Sequence, residues 1–392
     1  MGQREALLTV LATAAVTVPA TAAATWWWMS RPAQPDPALP DTVGAATGEM
    51  GPLARAVAAP AMQRTDISAW ASGMERVAAT DLDGDGHSEV ALAGAADLRV
   101  VDLDGRLLGD LPAPGAITVL EGIGDAIFAG WGRGKAFPDA GLTITRTWMK
   151  GQTVDTQTVA TPHTSRPQPV AIQPAGADLL VAWFGDTFTV TVQRAVRSGD
   201  GWALSPWTLA RTAPTWLVVD LDGDGHDDLV RGRTYGDQTA SDGDASVLLG
   251  TGQRVAIPTT RGVRAGCLAD TDGDGRPEVV LADGWHKDYG RKARAQIRLA
   301  WWADAGIATA VLDESPGDND VSRVLGADID GDGKDEILAV TNSRLRVVER
   351  EDDGWIAWDA ASGVADAAVA RTTGGSRVIV VGKKPEYLEV RR

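Results

Sequence analysis

The sequence is poor in the residue types that most often carry chemistry. Its 392 residues include one cysteine, Cys267, so no intrachain disulfide can form, and its four histidines are scattered. The patterns G-x-S-x-G, H-E-x-x-H and C-x-x-C do not occur. Basic residues are outnumbered: the chain has 37 Lys and Arg against 53 Asp and Glu, and this net charge of −16 argues against a phosphate-backbone binding role. The sequence thus indicates neither a nucleic-acid partner nor a catalytic motif.

What the sequence has in abundance is an acidic segment of nine residues that occurs four times, beginning at Asp81, Asp220, Asp270 and Asp328. Each copy carries carboxylates at its first, third, fifth and ninth positions and glycine at its fourth and sixth. Hard cations such as Ca2+ take about six to eight oxygen ligands, which alternate Asp side chains on a curled loop can supply. Glycine at position six suits a backbone bend with positive φ. Four carboxylates this close together repel one another unless a cation lies between them.

The segments therefore predict about four Ca2+ sites, with the alternative that they are Asp/Gly-rich turns without metal. The position-seven residue of each copy contributes its backbone carbonyl, whatever its side chain. The predicted ligands are Asp81, Asp83, Asp85, His87 and Glu89; Asp220, Asp222, Asp224, His226 and Asp228; Asp270, Asp272, Asp274, Arg276 and Glu278; and Asp328, Asp330, Asp332, Lys334 and Glu336.

The surroundings of each segment exclude an EF-hand, which needs a bidentate Glu at position twelve and a helix on each side. Position twelve is Leu92, Arg231, Leu281 or Ala339. Short apolar runs flank the segments instead, and such runs bounded by Asp/Gly turns are typical of strands. We predict that each segment joins two strands of a β-hairpin.

With its four DxDGDGxx[DE] segments, each followed by apolar residues, the chain resembles the FG-GAP/VCBS repeat family, typified by the integrin α-chain head. The resemblance covers about residues 60–392. It implies an all-β fold, a seven-bladed β-propeller with Ca2+ in the hairpin between the first two strands of a blade. The Phe-Gly…Gly-Ala-Pro signature of the family is not legible here, which leaves the subfamily open.

The spacing of the segments agrees with seven blades. Their first residues are 139, 50 and 58 apart (220 − 81, 270 − 220 and 328 − 270), and the long gap is close to three repeats. We therefore predict two hairpins without the acidic motif inside that gap and one more after the fourth segment. A propeller closes by borrowing a strand from the other terminus, so we predict a propeller over 61–392 closed by a strand at 64–70.

The N-terminal segment 1–30 is hydrophobic, with no charge between Glu5 and Arg31. It predicts either a cleaved signal peptide or an uncleaved signal-anchor helix, and three tryptophans, at 26–28, favour the anchor. Residues 31–60 are rich in Pro and Ala and predict a linker. The remainder is then exported, either anchored at the cell surface or in the periplasm, or secreted if the signal is cleaved.

One group of side chains suggests a partner site. Two connections between second and third strands are predicted to lie side by side, on the face opposite the acidic segments. Aromatic and arginine side chains on neighbouring loops are the composition of an interaction hot spot, and a solvated loop of chance composition is the alternative. The residues are Arg233, Tyr235, Trp285, His286, Tyr289 and Arg291.

The sequence therefore predicts a calcium-stabilised propeller that acts, as a monomer, as a non-enzymatic binding module for a protein or a glycan. An exported carbohydrate-active lyase or hydrolase on the same fold is the alternative, because a fold does not determine function. The tryptophans beyond residue 60 are expected to pack between blades rather than to stack on sugars.

Overall fold

Seven antiparallel sheets form a closed ring in the computed structural model. The structure describes residues 53–390 apart from 96, 134–142, 161–167, 185–189, 199–200, 206–207, 211–214, 233–244, 260–261, 284–294, 304–305, 316–320 and 353. Within the described residues, no helix is long and apolar enough to cross a membrane. The hydrophobic segment 1–30 and most of the predicted linker lie outside the described residues.

The first three blades come from the N-terminal half of the chain. Blade 1 contains β3 (Arg76–Thr80), β4 (Glu89–Ala93), β5 (Asp97–Val101) and β6 (Leu107–Pro112). Blade 2 contains β7 (Ala116–Ile123), β8 (Ala126–Gly132), β9 (Thr143–Lys150) and β10 (Thr153–Ala160). Blade 3 contains β11 (Gln168–Ala175), β12 (Asp178–Phe184), β13 (Val190–Ser198), β14 (Gly201–Leu204) and β15 (Thr208–Ala210).

The last four blades complete the ring. Blade 4 contains β16 (Thr215–Val219), β17 (Asp228–Gly232), β18 (Ala245–Leu248) and β19 (Arg254–Ile257). Blade 5 contains β20 (Val263–Ala269), β21 (Glu278–Asp283), β22 (Ala295–Ala303) and β23 (Gly306–Ser315). Blade 6 contains β24 (Val321–Ala327), β25 (Glu336–Thr341), β26 (Arg344–Glu351), β27 (Gly354–Ser362) and, at its edge, β1 (Arg55–Ala56). Blade 7 contains β28 (Val364–Thr372), β29 (Gly375–Gly382), β30 (Glu386–Val390) and β2 (Met62–Asp66).

The core of the ring lies between blades. Each of the seven apolar clusters contains residues of two adjacent blades. Because both faces of a sheet are buried in this way, the second strands are continuous apolar runs rather than alternating ones. Every tryptophan of the described residues belongs to one of these clusters or packs against it, four of them fully buried: Trp131, Trp183, Trp216 and Trp358. The predicted seven-bladed propeller is confirmed.

The ring closes in blade 7, where β2 pairs antiparallel with β30 over five residues from Met62 to Asp66. The prediction of a closing strand at 64–70 was partly wrong, because Ser68–Ala71 form a short helix, α1. The Asp66 carboxylate accepts a hydrogen bond from the Ser68 N–H at 2.8 Å, and the chain turns there. The turn buries Ile67 and Ala71 between blades 7 and 1.

The chain contacts the propeller before residue 61. Strand β1 pairs in parallel with β27 of blade 6. The Ala54 N–H donates to the Leu312 carbonyl of blade 5 at 2.6 Å. The C-terminal end of the predicted linker is therefore part of the folded ring rather than a free spacer.

The innermost strands β3, β7, β11, β16, β20, β24 and β28 surround a central channel with a cavity of about 380 Å³. Arg323 of β24 lies in this channel and forms an ion pair with Glu121 of blade 2 at 2.8 Å and with Asp366 of blade 7 at 3.5 Å. Asp366 also accepts a hydrogen bond from the Val77 N–H of blade 1 at 3.1 Å. Burial raises the pKa of Glu121, and the Arg323 guanidinium opposes that shift. Arg323, which is mostly buried, thus connects blade 6 with blades 2 and 7, and through Asp366 with blade 1, across the junction where the ring closes.

Candidate metal sites

The four acidic segments connect the first and second strands of blades 1, 4, 5 and 6. In each case the strand pairing leaves an eight-residue loop: residues 81–88, 220–227, 270–277 and 328–335, numbered here as loops one to four. Because all four blades have the same antiparallel order, the loops lie on one face of the ring, which we call the loop face.

Both glycines of each loop adopt the left-handed conformation that other residues resist. Their φ values lie between 74° and 87°. The sequence predicted this for position six, and the structure adds position four. The glycines are Gly84, Gly86, Gly223, Gly225, Gly273, Gly275, Gly331 and Gly333.

This curl turns backbone N–H groups towards the first carboxylate of each loop. In loop four the two Asp328 oxygens accept from Gly331 N–H at 2.6 Å and from Gly333 N–H at 3.0 Å. Loops one and three repeat both bonds, and loop two repeats the second. The position-seven N–H donates to the position-five carboxylate at 2.7–2.9 Å in all four loops, through His87, His226, Arg276 and Lys334.

The loop conformation brings carboxylate oxygens to within 4.8 Å of one another. In loops one, three and four the group consists of positions one, three and five: Asp81, Asp83, Asp85; Asp270, Asp272, Asp274; Asp328, Asp330, Asp332. In loop two it consists of positions one, three and nine, Asp220, Asp222 and Asp228, and Asp224 is not in that group. Three hard oxygen donors at this separation fit a hard divalent cation such as Ca2+.

The ninth residue of each acidic segment follows the eight-residue loop directly. It is a buried carboxylate that begins the second strand. Glu89, Asp228, Glu278 and Glu336 are between 1 % and 8 % exposed. Each accepts a hydrogen bond from the position-two N–H, at 2.7–2.9 Å. It therefore fastens the loop to the strand that follows it.

Burial raises the pKa of all four of these carboxyl groups, and neighbouring loop carboxylates raise it further. The pKa of Glu89 is raised to about 7 and that of Glu336 to about 8. Without a cation, Glu89 and Glu336 thus keep their protons at a pH where an ordinary glutamate is ionised.

Glu349 is a further acidic residue that the sequence analysis did not single out. It lies in β26, is 7 % exposed, and forms a group within 4.8 Å with Asp330 and Glu336. It comes from the third strand, outside the nine-residue motif. Its strand, β26, has the sequence RLRVVERE, so one more charged residue there did not stand out.

The other three blades make the same hairpin with a turn of two residues. The turns are Gly124–Asp125 in blade 2, Gly176–Ala177 in blade 3 and Thr373–Gly374 in blade 7. Gly124 and Gly176 have positive φ values of 60° and 61°. These three hairpins are the ones that the sequence predicted to lack the acidic motif.

The predicted partner-site residues Arg233, Tyr235, Trp285, His286, Tyr289 and Arg291 lie outside the described residues. The strands on either side of them are described. Gly232 ends β17 and Asp283 ends β21, in the adjacent blades 4 and 5. Both strands therefore end on the face opposite the loop face.

A depression of about 970 Å³ opens on the loop face. Its lining combines loop-one carboxylates, including Asp83, with Arg106 and Arg377 from turns and strands of blades 1 and 7. The loop face therefore carries both signs of charge beside its acidic groups.

Comparison with known proteins agrees with this architecture. Residues 220–281 and 270–339 match the FG-GAP-like repeat, and these segments contain loops two, three and four. No curated protein matches the chain. Two solved structures share the fold: "Crystal Structure of Mitotic Checkpoint Complex", with 12 % identity, a TM-score of 0.51, and coverage of 90 % of this chain and 99 % of that one; and "Streptogramin B lyase structure", with 12 % identity, a TM-score of 0.51, and coverage of 84 % and 98 %.

The fold and the hairpin loops define an all-β propeller with seven blades. Within that propeller, residues 220–339 carry FG-GAP-like repeats. One of these two structures is a checkpoint complex and the other is a lyase, so the propeller fold alone does not select a function.

Proposed function

We propose that the protein is an exported, calcium-stabilised β-propeller that acts as a non-enzymatic binding module for a protein or glycan partner at the cell surface. The observation that carries the proposal is the grouping of carboxylates in four hairpin loops on one face of the ring. The FG-GAP-like repeats on a propeller also support an interaction role in general terms.

The donor chemistry supports Ca2+ as the cation. All the grouped donors are carboxylate oxygens, which suit Ca2+ and Mg2+ rather than softer metals. The cation would neutralise the loop charges and hold each first hairpin together, a structural role. Asp and Glu supply the carboxylates, and the position-seven residues supply backbone carbonyls.

The binding role is supported by the position of two connections. They leave adjacent blades on the face away from the acidic loops, and their sequence contains aromatic residues and arginines such as Tyr235, Trp285 and Arg291. Aromatic and arginine residues contribute most to binding energy at protein interfaces. Export is supported by the hydrophobic segment 1–30 and by the need of such loops for extracellular calcium.

The calcium half of the proposal is tested by thermal unfolding of the full chain with millimolar calcium and with a chelator. We expect a large upward shift of Tm with calcium, because a ligand that binds only the folded state stabilises it. An unchanged Tm together with no detectable calcium binding would refute this half.

The binding half is tested on a glycan array and with surface-protein extracts, comparing the wild type with the double substitution Trp285→Ala and Tyr289→Ala. The matched control is Arg106→Ala, an exposed residue on the loop face. Binding that is lost in the double variant and kept in the control supports the proposal. Cleavage of a bound glycan by the wild type would favour the lyase or hydrolase alternative instead.

Export and anchoring are tested by cell fractionation and by sequencing the N-terminus of the mature protein. We expect the chain in the membrane or extracellular fraction. Recovery of the intact chain only from the cytosol would contradict the proposal.

A further inference from the structure

The acidic loops contact their neighbours unequally, and loops three and four are joined most closely. The Asp335 N–H donates to the Asp270 carbonyl oxygen at 2.8 Å. The Asp270 N–H in turn donates to Asp335 Oδ2 at 2.9 Å. Asp335 occupies position eight of loop four and is not among the grouped carboxylates.

This pair of hydrogen bonds fixes the backbone of Asp270, the residue that supplies the first carboxylate of loop three. The backbone of Asp270 is held by blade 6, while its side chain accepts N–H groups of its own loop from Gly273 and Gly275, at 2.9 and 2.8 Å. Asp335 itself lies between Lys334 and Glu336, two of the predicted ligand positions of loop four. Any ordering of loop four therefore also restricts the position of Asp270.

Blade 6 reaches loop three at two further points. Arg350 forms an ion pair with Asp272 at 3.2 Å. Gly273 lies so close to loop four that a Cβ atom on it would be 3.1 Å from the Gly333 carbonyl oxygen. Loop three therefore has much of its support in the neighbouring blade.

The other junctions provide an internal comparison. Position eight of loop three is Pro277, which has no N–H and cannot make the same bond to loop two. In loop one, Ser88 exchanges the same two hydrogen bonds with Arg371, at 3.0 and 2.9 Å, but blade 7 has a two-residue turn there and no acidic loop. Among the described residues, this reciprocal pair of hydrogen bonds joins two acidic loops only between blades 5 and 6. Loops two and three instead meet through the Arg276 side chain, whose guanidinium lies beside Gly223.

We propose that Asp335 couples loops three and four, so that the two loops bind their cations cooperatively while loops one and two bind independently. This inference rests on the calcium binding proposed above. A cation in loop four orders Asp335 and so places the Asp270 carboxylate for a cation in loop three. By linkage the effect is reciprocal. Asp335 is a positioning residue here.

The test is a calcium titration by calorimetry on the full chain in which Asp83→Asn and Asp222→Asn disable loops one and two. In this background we expect Asp330→Asn, which disables loop four, to weaken calcium binding at loop three by at least about fivefold. With Asp335→Ala already present, adding Asp330→Asn should change loop-three affinity by less than about twofold.

Two matched controls accompany these variants. Asp335→Asn keeps a side-chain oxygen for the Asp270 N–H and should preserve the coupling. Asp227→Ala removes the position-eight carboxylate of loop two and should leave loop three unchanged. The Asp330→Asn comparison keeps Asp335 intact, so it decides whether loops three and four are coupled even if Asp335→Ala does not fold.

The possible outcomes distinguish a failure of the coupling from a failure of the proposed calcium binding. Calcium binding at loop three that is indifferent to Asp330→Asn, or a coupling that survives Asp335→Ala, overturns the inference and leaves calcium binding standing. Absence of calcium binding in the wild type overturns both.

Discussion

Blades 2 and 6 build the same first hairpin in two different ways. In blade 2 the strands run to a two-residue turn at Gly124–Asp125, and cross-strand pairs continue up to the turn. In blade 6 the pairing stops at Ala327 and Glu336, and an eight-residue loop carries grouped carboxylates and a buried glutamate. The blade 2 hairpin is held by strand pairing up to its turn. The blade 6 hairpin instead carries concentrated negative charge, which a cation would neutralise.

The largest expected difference between the two kinds of blade follows removal of calcium. At a free calcium concentration 100 times Kd, one site stabilises by about 2.7 kcal/mol, so four such sites give roughly 11 kcal/mol before any coupling between loops three and four is counted. Hydrogen exchange in chelator should accelerate in β4, β17, β21 and β25 and much less in β8 and β12. Equal acceleration in every blade would remove the distinction drawn here.

The next effect concerns Arg323, which joins blade 6 to blade 2 without any cation. Arg323→Ala leaves the buried Asp366 carboxylate and the half-buried Glu121 carboxylate without their partner. Breaking a fully buried ion pair costs about 3–5 kcal/mol, which is an upper bound for this partly exposed group. Denaturant unfolding should show this loss equally with calcium and with chelator. Arg344→Ala breaks an exposed pair with Asp359 and serves as the control, with a loss of about 0–1 kcal/mol. A loss seen only with calcium would mean that the channel and the loops are one system.

A single loop carboxylate gives a smaller and conditional effect. Asp330→Asn keeps the shape of the side chain but removes charge from loop four. In calcium it should cost at least about 2.7 kcal/mol, the contribution of loop four at 100 times Kd, because the coupled weakening of loop three adds to that loss. In chelator it should cost close to nothing. Asp125→Asn in the short turn of blade 2 is the matched control and should be insensitive to calcium. A cost for Asp330→Asn that is the same in both conditions would argue for an Asp/Gly turn without metal.

The smallest effect is that of pH on the calcium-free protein. The pKa of Glu336 is raised to about 8 in the folded chain, while an unfolded glutamate has its usual value of 4.5. Between these values the folded state binds the extra proton, so the free energy of unfolding falls as pH rises, by at most about 1.4 kcal/mol per pH unit for one group. Denaturant unfolding in chelator at pH 6, 7 and 8 measures this slope, and Glu336→Gln should reduce it. A stability that rises with pH in this range would contradict the assignment.

The sequence was most informative where the relevant residues are close together in the chain. The first, third, fifth and ninth positions of each loop fall within nine residues, so their chemistry is visible without knowledge of the fold. The three short-turn hairpins followed from the spacing of the segments, because blades of similar length must fill the long gap.

The closing strand was misplaced because its sequence has no apolar signal. Residues Met62–Asp66 form an outer edge strand, and four of its five residues are exposed. The apolar residues just after it, Ile67 and Ala71, are buried through a helical turn instead. A pattern of burial indicates which residues are inside, but over so short a run it does not separate a strand from a helix.

Contacts between distant segments were not predictable from the sequence alone. Arg323, Glu121 and Asp366 each stand in an apolar strand, which indicates that each needs a partner, yet nothing in the spacing says that they meet in one channel. The same holds for Glu349 beside loop four and for the Asp335–Asp270 pair. These contacts depend on the closure of the ring and on which blades become neighbours.

The pairing of Met62 with Val390 gives the ring a directional mechanical strength. These partners lie at one corner of blade 7, so a force that pulls them apart opens the closing pair of strands one residue pair at a time. A force that draws the upstream chain along the axis of β2 against the ring must instead shear all five pairs together. Strand β1 on blade 6 and the Ala54 bond to blade 5 take up that load first. The same pair of strands therefore resists shear along β2 better than it resists being opened from the Met62–Val390 end.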